Sequence, residues 1–442
     1  AQAELEKLGY KAPEGEAAAP SEWGSIDWKQ FEGTTLNVLA TSMPVAETYK
    51  SHVAEFEEMT GIKVNFELLN DVDRRKKQLV DFSSGMAEYD VGNIGFSNRE
   101  EFAQPGYLAD LKPFLDDPAL TDKAWYNFED YPQDVIASGY ADSGDLVFVP
   151  FTAEYFLLWY RQDIFDKLGL SVPATLEELE TTAKALDDAR KAGTITEYAW
   201  VERQMPGASE AGWNLFCTGN RFDFHFVDFA SMTANVNTDK GKEVLDFYTR
   251  MVINYGPPGS GNWTWGDIAN AFKTKQVAMT TAGNASYAYL EDPKESQVAG
   301  MVGYAPPPMA PGGKDPLWVW GWGMNKSSKN KEAAWRFIEW ATSPNLMKVM
   351  APSYGCPARQ SSYSDPDYVA AMPNQGFIDA QLYMMTQGVN PKPQLIHAKW
   401  AEAADIVSRE MSNVIAGIKD VDQAAADAQA ELEKLGYKAP EG

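Results

Sequence analysis

Apolar and polar residues alternate along this chain in two recognisable periods. Leu36–Ala40 is a short, mostly apolar run of strand length, and Ile62, Val64, Phe66 and Leu68 recur every second residue, as on one face of a strand. Between them Tyr49, Val53, Phe56 and Met59 fall at helical spacing, with Gly61 as the stop. A charged helix is predicted from about Asp73 to Gly85, and another strand over Tyr89–Ile94. Strand, helix, strand, helix, strand is the pattern of a mostly parallel α/β sheet. Leu146–Pro150 and Phe156–Tyr160 are nearly continuous strand-like runs, placed where the chain would pass from one lobe to another. Thr175 and Glu178 form a capping box ahead of the stripe Leu176, Leu179, Ala183, Leu186, and Gly193 stops that helix. Helices are predicted over Glu243–Ile253, Ile268–Phe272, Glu332–Trp340 and Trp400–Ile418, a strand over Val277–Thr281, and loop through the Pro-rich Tyr304–Pro316. Both halves thus carry βα units, and strand character returns late. An interleaved, two-lobed α/β architecture explains this better than two domains in tandem.

With 442 residues, 44% of them hydrophobic, the chain can build two cores. A formal charge of −25 argues against nucleic acid and against anionic surfaces. No apolar stretch is long enough to span a bilayer, and no signal peptide is visible, so the chain reads as a mature or trimmed form. Three scattered histidines and two cysteines without a CxxC make a metal site improbable, and no cofactor is expected. Cys217 and Cys356 form either a disulfide or two buried thiols. Fourteen tryptophans are unusual, because large rings are costly to expose without a partner. Residues 1–15 repeat residues 428–442 letter for letter, which drifting repeats do not do. That first copy is set aside from the fold, and residues 1–32 are taken as a leader.

Five segments in order resemble the extracellular solute-binding proteins of carbohydrate ABC importers: FEEMTGIKV (56–64), DFSSGMAEYDVGNIGFSNREEFAQPGYLADLKPF (81–114), FVPFTAEYFLLWYRQDIFDKLGL (148–170), WGDIANAFKTKQVAMTTAG (265–283) and WVWGWGMNKSSKNKEAAWRFIEWATSP (318–344). The resemblance runs from about residue 33 to the C-terminus. Tyr255–Gly259 and the Trp-rich 318–322 stretch look nearest to the sugar-alcohol and mannitol branch. It implies a type II periplasmic-binding-protein fold, with crossing strands and a ligand cleft between the lobes that closes on the ligand. The lobes expected are 33–147 with 284–345, and 148–283 with 346–442, with hinges near 145–155 and 280–286. It also implies a monomer that hands a neutral carbohydrate or polyol to the permease subunits of an importer in the periplasm. There is no Cys for a lipid anchor near the N-terminus.

Sugars and polyols need aromatic platforms for their CH faces and carboxylates, amides or arginines for their hydroxyls. Glu154 stands where maltodextrin-binding relatives place a ligand carboxylate, although a hinge salt bridge would use it equally. Tyr155 faces either the ligand or the core. Ser42 and Met43 follow the first strand, and Ser97 and Asn98 follow the Tyr89–Ile94 strand, where such clefts are lined. The same Ser97 and Asn98 suit a helix N-cap. Trp318, Trp320 and Trp322 alternate and would share one face of a strand. Trp263 and Trp265 lie in a Gly/Pro-rich stretch. Trp213, Trp400 and Asn284 are further candidates. Tyr354 and Arg359 flank Cys356, and Arg359 either forks onto vicinal hydroxyls or makes a salt bridge.

Nothing resembling a nucleophile elbow, P-loop, dinucleotide fingerprint or metal motif appears. A pair of catalytic carboxylates cannot be dismissed by counting in a chain with 63 acids, so a secreted hydrolase or a lectin-like module stands as the alternative to a non-enzymatic transport protein.

Overall fold

The structure, a computed structural model, describes residues 23–385, 389–390 and 399–440. In chain order its main elements are β1 (Thr35–Thr41), α1 (Pro44–Thr60), β2 (Lys63–Leu69), α2 (Asp71–Ser84), β3 (Val91–Gly95), β4 (Val149–Glu154), β5 (Phe156–Arg161), α3 (Leu176–Lys191), β6 (Tyr198–Val201), α4 (Trp213–Arg221), α5 (Asp239–Tyr255), β7 (Val277–Gly283), β8 (Val302–Ala305), β9 (Trp318–Met324), α6 (Lys331–Ala341), α7 (Pro344–Tyr354), α8 (Gln375–Tyr383), α9 (Trp400–Ile415) and α10 (Val421–Lys434). The local signals act as expected. Gly61 and Gly85 end α1 and α2 in the left-handed region, at φ 72° and 71°. The Thr175–Glu178 capping box opens α3.

The chain divides into two compact units and passes between them at 154/155, 317/318 and 373/374. The first unit holds the residues up to Glu154 and Trp318–Pro373, and the second holds Tyr155–Leu317 and the residues from Asn374 onward. The first unit's sheet has the order β2-β1-β3-β9-β4. Its first three strands are parallel, and β9 enters antiparallel between β3 and β4. Its core gathers on Trp322, fully buried, whose ring centroid lies 5.1 Å from Phe151, 5.3 Å from Tyr49, 5.6 Å from Phe337 and 5.9 Å from Phe66.

The second unit's sheet has the order β8-β5-β7-β6, with only β6 and β7 parallel. The C-terminal copy of the duplicated segment is part of its fold. Ala428 and Leu432 on α10 are fully buried, Tyr437 nearly so, and Lys438 exchanges backbone hydrogen bonds with Met232 and Ala234.

Three expectations need correction. The segment 284–317 belongs to the second unit and 346–373 to the first, as does 148–154. Asn284 explains the first of these. Its N–H donates to the Tyr155 carbonyl and its side-chain oxygen accepts from Tyr155 N–H, so the end of β7 is tied back to the start of β5 and does not lead out of the unit. The leader ends sooner than residue 32: Trp23, Trp28 and Trp125 form an edge-packed cluster with centroids 5.7–6.2 Å apart, which fastens residues from Trp23 onward to the first unit. Finally, Cys217 and Cys356 are free, buried thiols in different units, Cys217 on α4 and Cys356 just after α7, so no disulfide joins them.

Candidate functional site

In the first unit the candidate residues converge at the carboxyl ends of β1, β3 and β4 and at the start of β9. Trp318 stands opposite Glu154 in the β9–β4 ladder, and Trp320 stands opposite Gly95 on β3 and Thr152 on β4. The Trp318 and Trp320 rings meet edge to face at 5.9 Å and are both partly exposed. Trp322 does not join them and is core. Between Trp320 and Gly321 the ladder to β4 slips by one residue, and the extra residue on β4, Phe151, turns its ring onto Trp322. The register of β9 with β3 runs unbroken, so the alternation holds, and Trp322 is a core ring because it lies deeper than Trp318 and Trp320, under Tyr49, Phe66, Phe151 and Phe337.

The Trp320 ring lies over Gly95: a Cβ there would sit 2.9 Å from its Cζ3 and 3.3 Å from Asn98 Oδ1. Asn98 precedes a short helix yet makes no side-chain cap bond to it, and its Oδ1 accepts from Ser97 Oγ at 3.4 Å. Ser42 is exposed, with its hydroxyl on Glu47, and Met43 precedes α1 half-buried.

Sequence reasoning missed Arg74. It lies in the run DRRKKQ, which reads as a solvated helix face, but it is fully buried. Its guanidinium donates to Thr41 Oγ1 at 3.1 Å, Gln78 Oε1 at 2.6 Å, the Asn93 carbonyl at 3.2 Å and Asp71 Oδ1 at 2.7 Å. It also stands 5.8 Å from the Trp320 ring centroid. Arg74 thus pins the ends of β1 and β3 and backs the platform. The spacing of acidic and basic residues in a helix gives no sign of such burial.

Two candidates in this unit are structural. Arg359 is fully buried. It donates to the Thr342 and Asn127 carbonyls at 2.9 and 2.8 Å, pairs with Asp130 at 3.6 Å, and stacks 4.9 and 4.5 Å from the Tyr126 and Tyr131 rings. With those donors committed, it staples three segments of one core and has no fork to offer hydroxyls. Tyr354, almost fully buried, donates its hydroxyl to the Phe151 carbonyl.

In the second unit Phe156, at the start of β5, anchors an aromatic wall. Trp213 lies 6.1 Å from it and 6.1 Å from Trp400. The guanidinium groups of Arg203 and Arg221 stand 5.7 and 5.8 Å from the Phe156 ring, two residues that the sequence reading also passed over. Tyr155 and Asn284 are fully buried beside this wall, and Asn284 Nδ2 donates to Gln381 Oε1 at 2.6 Å. The Trp263 carbonyl accepts from Gln204 and Met205, while Trp265, 50% exposed, opens a helix with its N–H on Glu210. Among the described residues there is no cluster of His, Cys, Asp and Glu able to hold a metal ion.

Residues 40–348 match the family of the bacterial extracellular solute-binding proteins. The erythritol/L-threitol-binding protein of Mycolicibacterium smegmatis is 29% identical over 376 residues, 80% of this chain and 77% of that protein. The mannitol-binding protein of Pseudomonas aeruginosa is 26% identical over 328 residues, 72% of each chain. Among solved structures, an ABC transporter solute-binding protein from Agrobacterium radiobacter in complex with ribitol is similar with a TM-score of 0.79 at 26% identity, covering 91% of this chain and 99% of that one. These matches span the ordered motifs on which both units are built. The chain belongs to the bacterial extracellular solute-binding proteins.

Proposed function

We propose that this protein is the substrate-binding component of an ABC importer, that it captures a neutral sugar alcohol or small sugar outside the cytoplasmic membrane, and that it delivers it to the permease unchanged. The observation that carries this reading is the platform of the first unit. Trp318 and Trp320 present ring faces suited to a CH surface, with the Glu154 carboxylate across the ladder from Trp318 and the Asn98 amide beside Trp320. That is the donor set a polyol needs: apolar faces, one charged acceptor, one amide. The Phe156–Trp213 pair of the second unit adds ring faces, with the Arg203 guanidinium as a charged donor beside them. The relatives that bind erythritol, L-threitol, mannitol and ribitol support a short polyol as the ligand. On this reading the protein works as a periplasmic monomer, without cofactor or catalysis.

A thermal-shift screen over erythritol, L-threitol, ribitol, D-mannitol and maltose tests it. A ligand at a hundred times its Kd adds about 2.7 kcal/mol to stability. A polyol that stabilises the protein and is recovered intact supports the reading. No shift with any polyol or sugar defeats it, and a released product would make the protein a hydrolase.

A further inference from the structure

A buried cluster of charge lies in the second unit and touches both ends of α4. Glu202, the residue after β6, is 2% exposed, Arg221 at the end of α4 is 3% exposed, and Asp315 is fully buried. Arg221 donates from Nε and Nη2 to the two oxygens of Asp315 at 3.1 and 2.9 Å, and from Nη1 to Thr281 Oγ1 at 3.0 Å. Its charge is therefore met by Asp315, while its Nη1 stands 3.9 Å from Glu202. Thr281 on β7 donates to Glu202 Oε1, and Asn214 Nδ2 donates to Glu202 Oε2. One carboxylate thus joins β6, β7 and the first turn of α4. The other titratable and charged groups facing it are Arg203 beside it, Cys217 on α4 and Tyr248 on α5. A cavity of about 10 Å³, room for one water, adjoins Glu202, Arg221 and Tyr248.

Asn214 directly follows Trp213, the first residue of α4 and the middle ring of the Phe156–Trp213–Trp400 wall. We propose that Glu202 is a positioning residue for this wall: through Asn214 it fixes the first turn of α4, and with it the Trp213 ring, and ligand affinity follows the charge on Glu202. The affinity part rests on the reading of Trp213 as a ligand contact. Burial pushes the Glu202 carboxyl up to about 7, against the opposing pull of Arg221, Thr281 and Asn214, so both charge states are populated near neutrality. The two states hold Asn214 differently. As a carboxylate, Glu202 accepts from both Asn214 and Thr281. When it is protonated, the Thr281 hydroxyl can turn to accept, but the Asn214 amide nitrogen can only donate. Whether the proton sits on the Thr281 side, or on the Asn214 side with the amide turned so that its unpartnered Oδ1 accepts, the bond to Asn214 loses its charge assistance, roughly half its strength. Ionised Glu202 holds α4 firmly, and protonated Glu202 lets its first turn loosen.

The test uses the full chain labelled with 5-fluorotryptophan, with the Trp213 resonance assigned through Trp213→Phe and followed by fluorine NMR from pH 5.5 to 8.5. Affinities for ribitol, D-mannitol and erythritol are measured in parallel. The Trp213 resonance should move with a midpoint near 7 in the parent and stay still in Glu202→Gln, while Trp335 of the first unit stays still in both. Polyol affinity should rise roughly three- to tenfold from pH 6 to 8 in the parent and stay within twofold in Glu202→Gln. A Trp213 resonance that ignores pH, or that titrates equally in Glu202→Gln, overturns the proposal. Should Glu202→Gln not fold, Asn214→Ala cuts the same link and must also silence the Trp213 response. A resonance that titrates as expected, with polyol affinity indifferent to Trp213→Phe, upholds the link to Glu202 and overturns the affinity claim together with the reading of Trp213 as a ligand contact.

Discussion

The indole of Trp320 rests on Gly95, near enough that the smallest side chain at that position would stand 2.9 Å from its Cζ3. The glycine is needed for the space above it, since its backbone is extended, at φ −82°. Gly95→Ala should therefore tilt the platform ring and weaken polyol binding by roughly three- to tenfold, at a stability cost of about 1–3 kcal/mol. Calorimetric titration and urea unfolding on the same samples separate the two effects. An unchanged Kd would mean that Trp320 is not a platform.

Glu154 and Trp320 should behave as binding residues, and Trp322 as a core residue. Glu154→Gln keeps the shape and removes the charge, so affinity should fall about tenfold with folding intact. Trp320→Ala should cost as much or more. Trp322→Ala should instead destabilise the fold by about 3–5 kcal/mol, because its fully buried ring contacts four aromatic neighbours. Equal effects of Trp320→Ala and Trp322→Ala on Kd, at equal stability, would contradict the division between an edge ring and a buried one.

Arg359→Met should separate in the opposite sense from Glu154→Gln. It takes the paired cation from buried Asp130, which keeps only its bonds from Ser361, and one donor from each of two carbonyls, so unfolding free energy should drop by about 3–5 kcal/mol. Polyol affinity at a temperature where the variant is folded should match the parent. A selective loss of affinity would return Arg359 to the ligand surface.

Burial pushes the Glu339 carboxyl up to about 8, opposed by its partner Arg336. The native state thus keeps a proton that the unfolded chain gives up above the ordinary carboxylate value of 4.5. This contribution to stability is complete below that value and is lost as pH rises through about 8. Glu202 acts in the same direction. Urea midpoints of the parent should fall between pH 5 and 8.5, and those of Glu339→Gln should fall less. Parallel profiles would remove Glu339 as a source.

Burial also raises both thiols, Cys217 and Cys356. Neither should react with a thiol reagent in the native protein, and both should react in denaturant without reductant. No thiol titrating in denaturant would restore the disulfide.

Signals carried by neighbouring residues were legible in the sequence. Gly61, Gly85 and the Thr175–Glu178 box fixed helix ends because their chemistry spans at most four residues. That Trp318, Trp320 and Glu154 lie together at one end of a sheet follows the strand alternation and the familiar order of motifs. What escaped depends on partners far along the chain. The unit boundary was misplaced at 284 because the Asn284 amide is used by Tyr155 and Gln381, which no local pattern reveals. Arg74 looked solvated, and Arg359 looked free for a ligand or a salt bridge, because charge suggests water or a charged partner, whereas each here has carbonyls or side-chain oxygens and ring faces around it. Trp322 leaves the platform because it lies deeper in the sheet, under Tyr49, Phe66, Phe151 and Phe337, and no count of alternate positions shows that depth.

The place of β9 between β3 and β4 has a consequence for how the protein is made. Its sheet neighbours leave the ribosome first, and the chain then spells out most of the second unit before returning with Trp318–Met324. At about 5–20 residues per second, a strand-wide slot stays open in the middle of the first sheet for on the order of ten seconds or more. The second unit waits longer still, for α9 and α10 at the end of the chain. A polypeptide that can complete neither half early stays threadable for most of its synthesis, which is the state in which a chain can still be passed through a narrow channel.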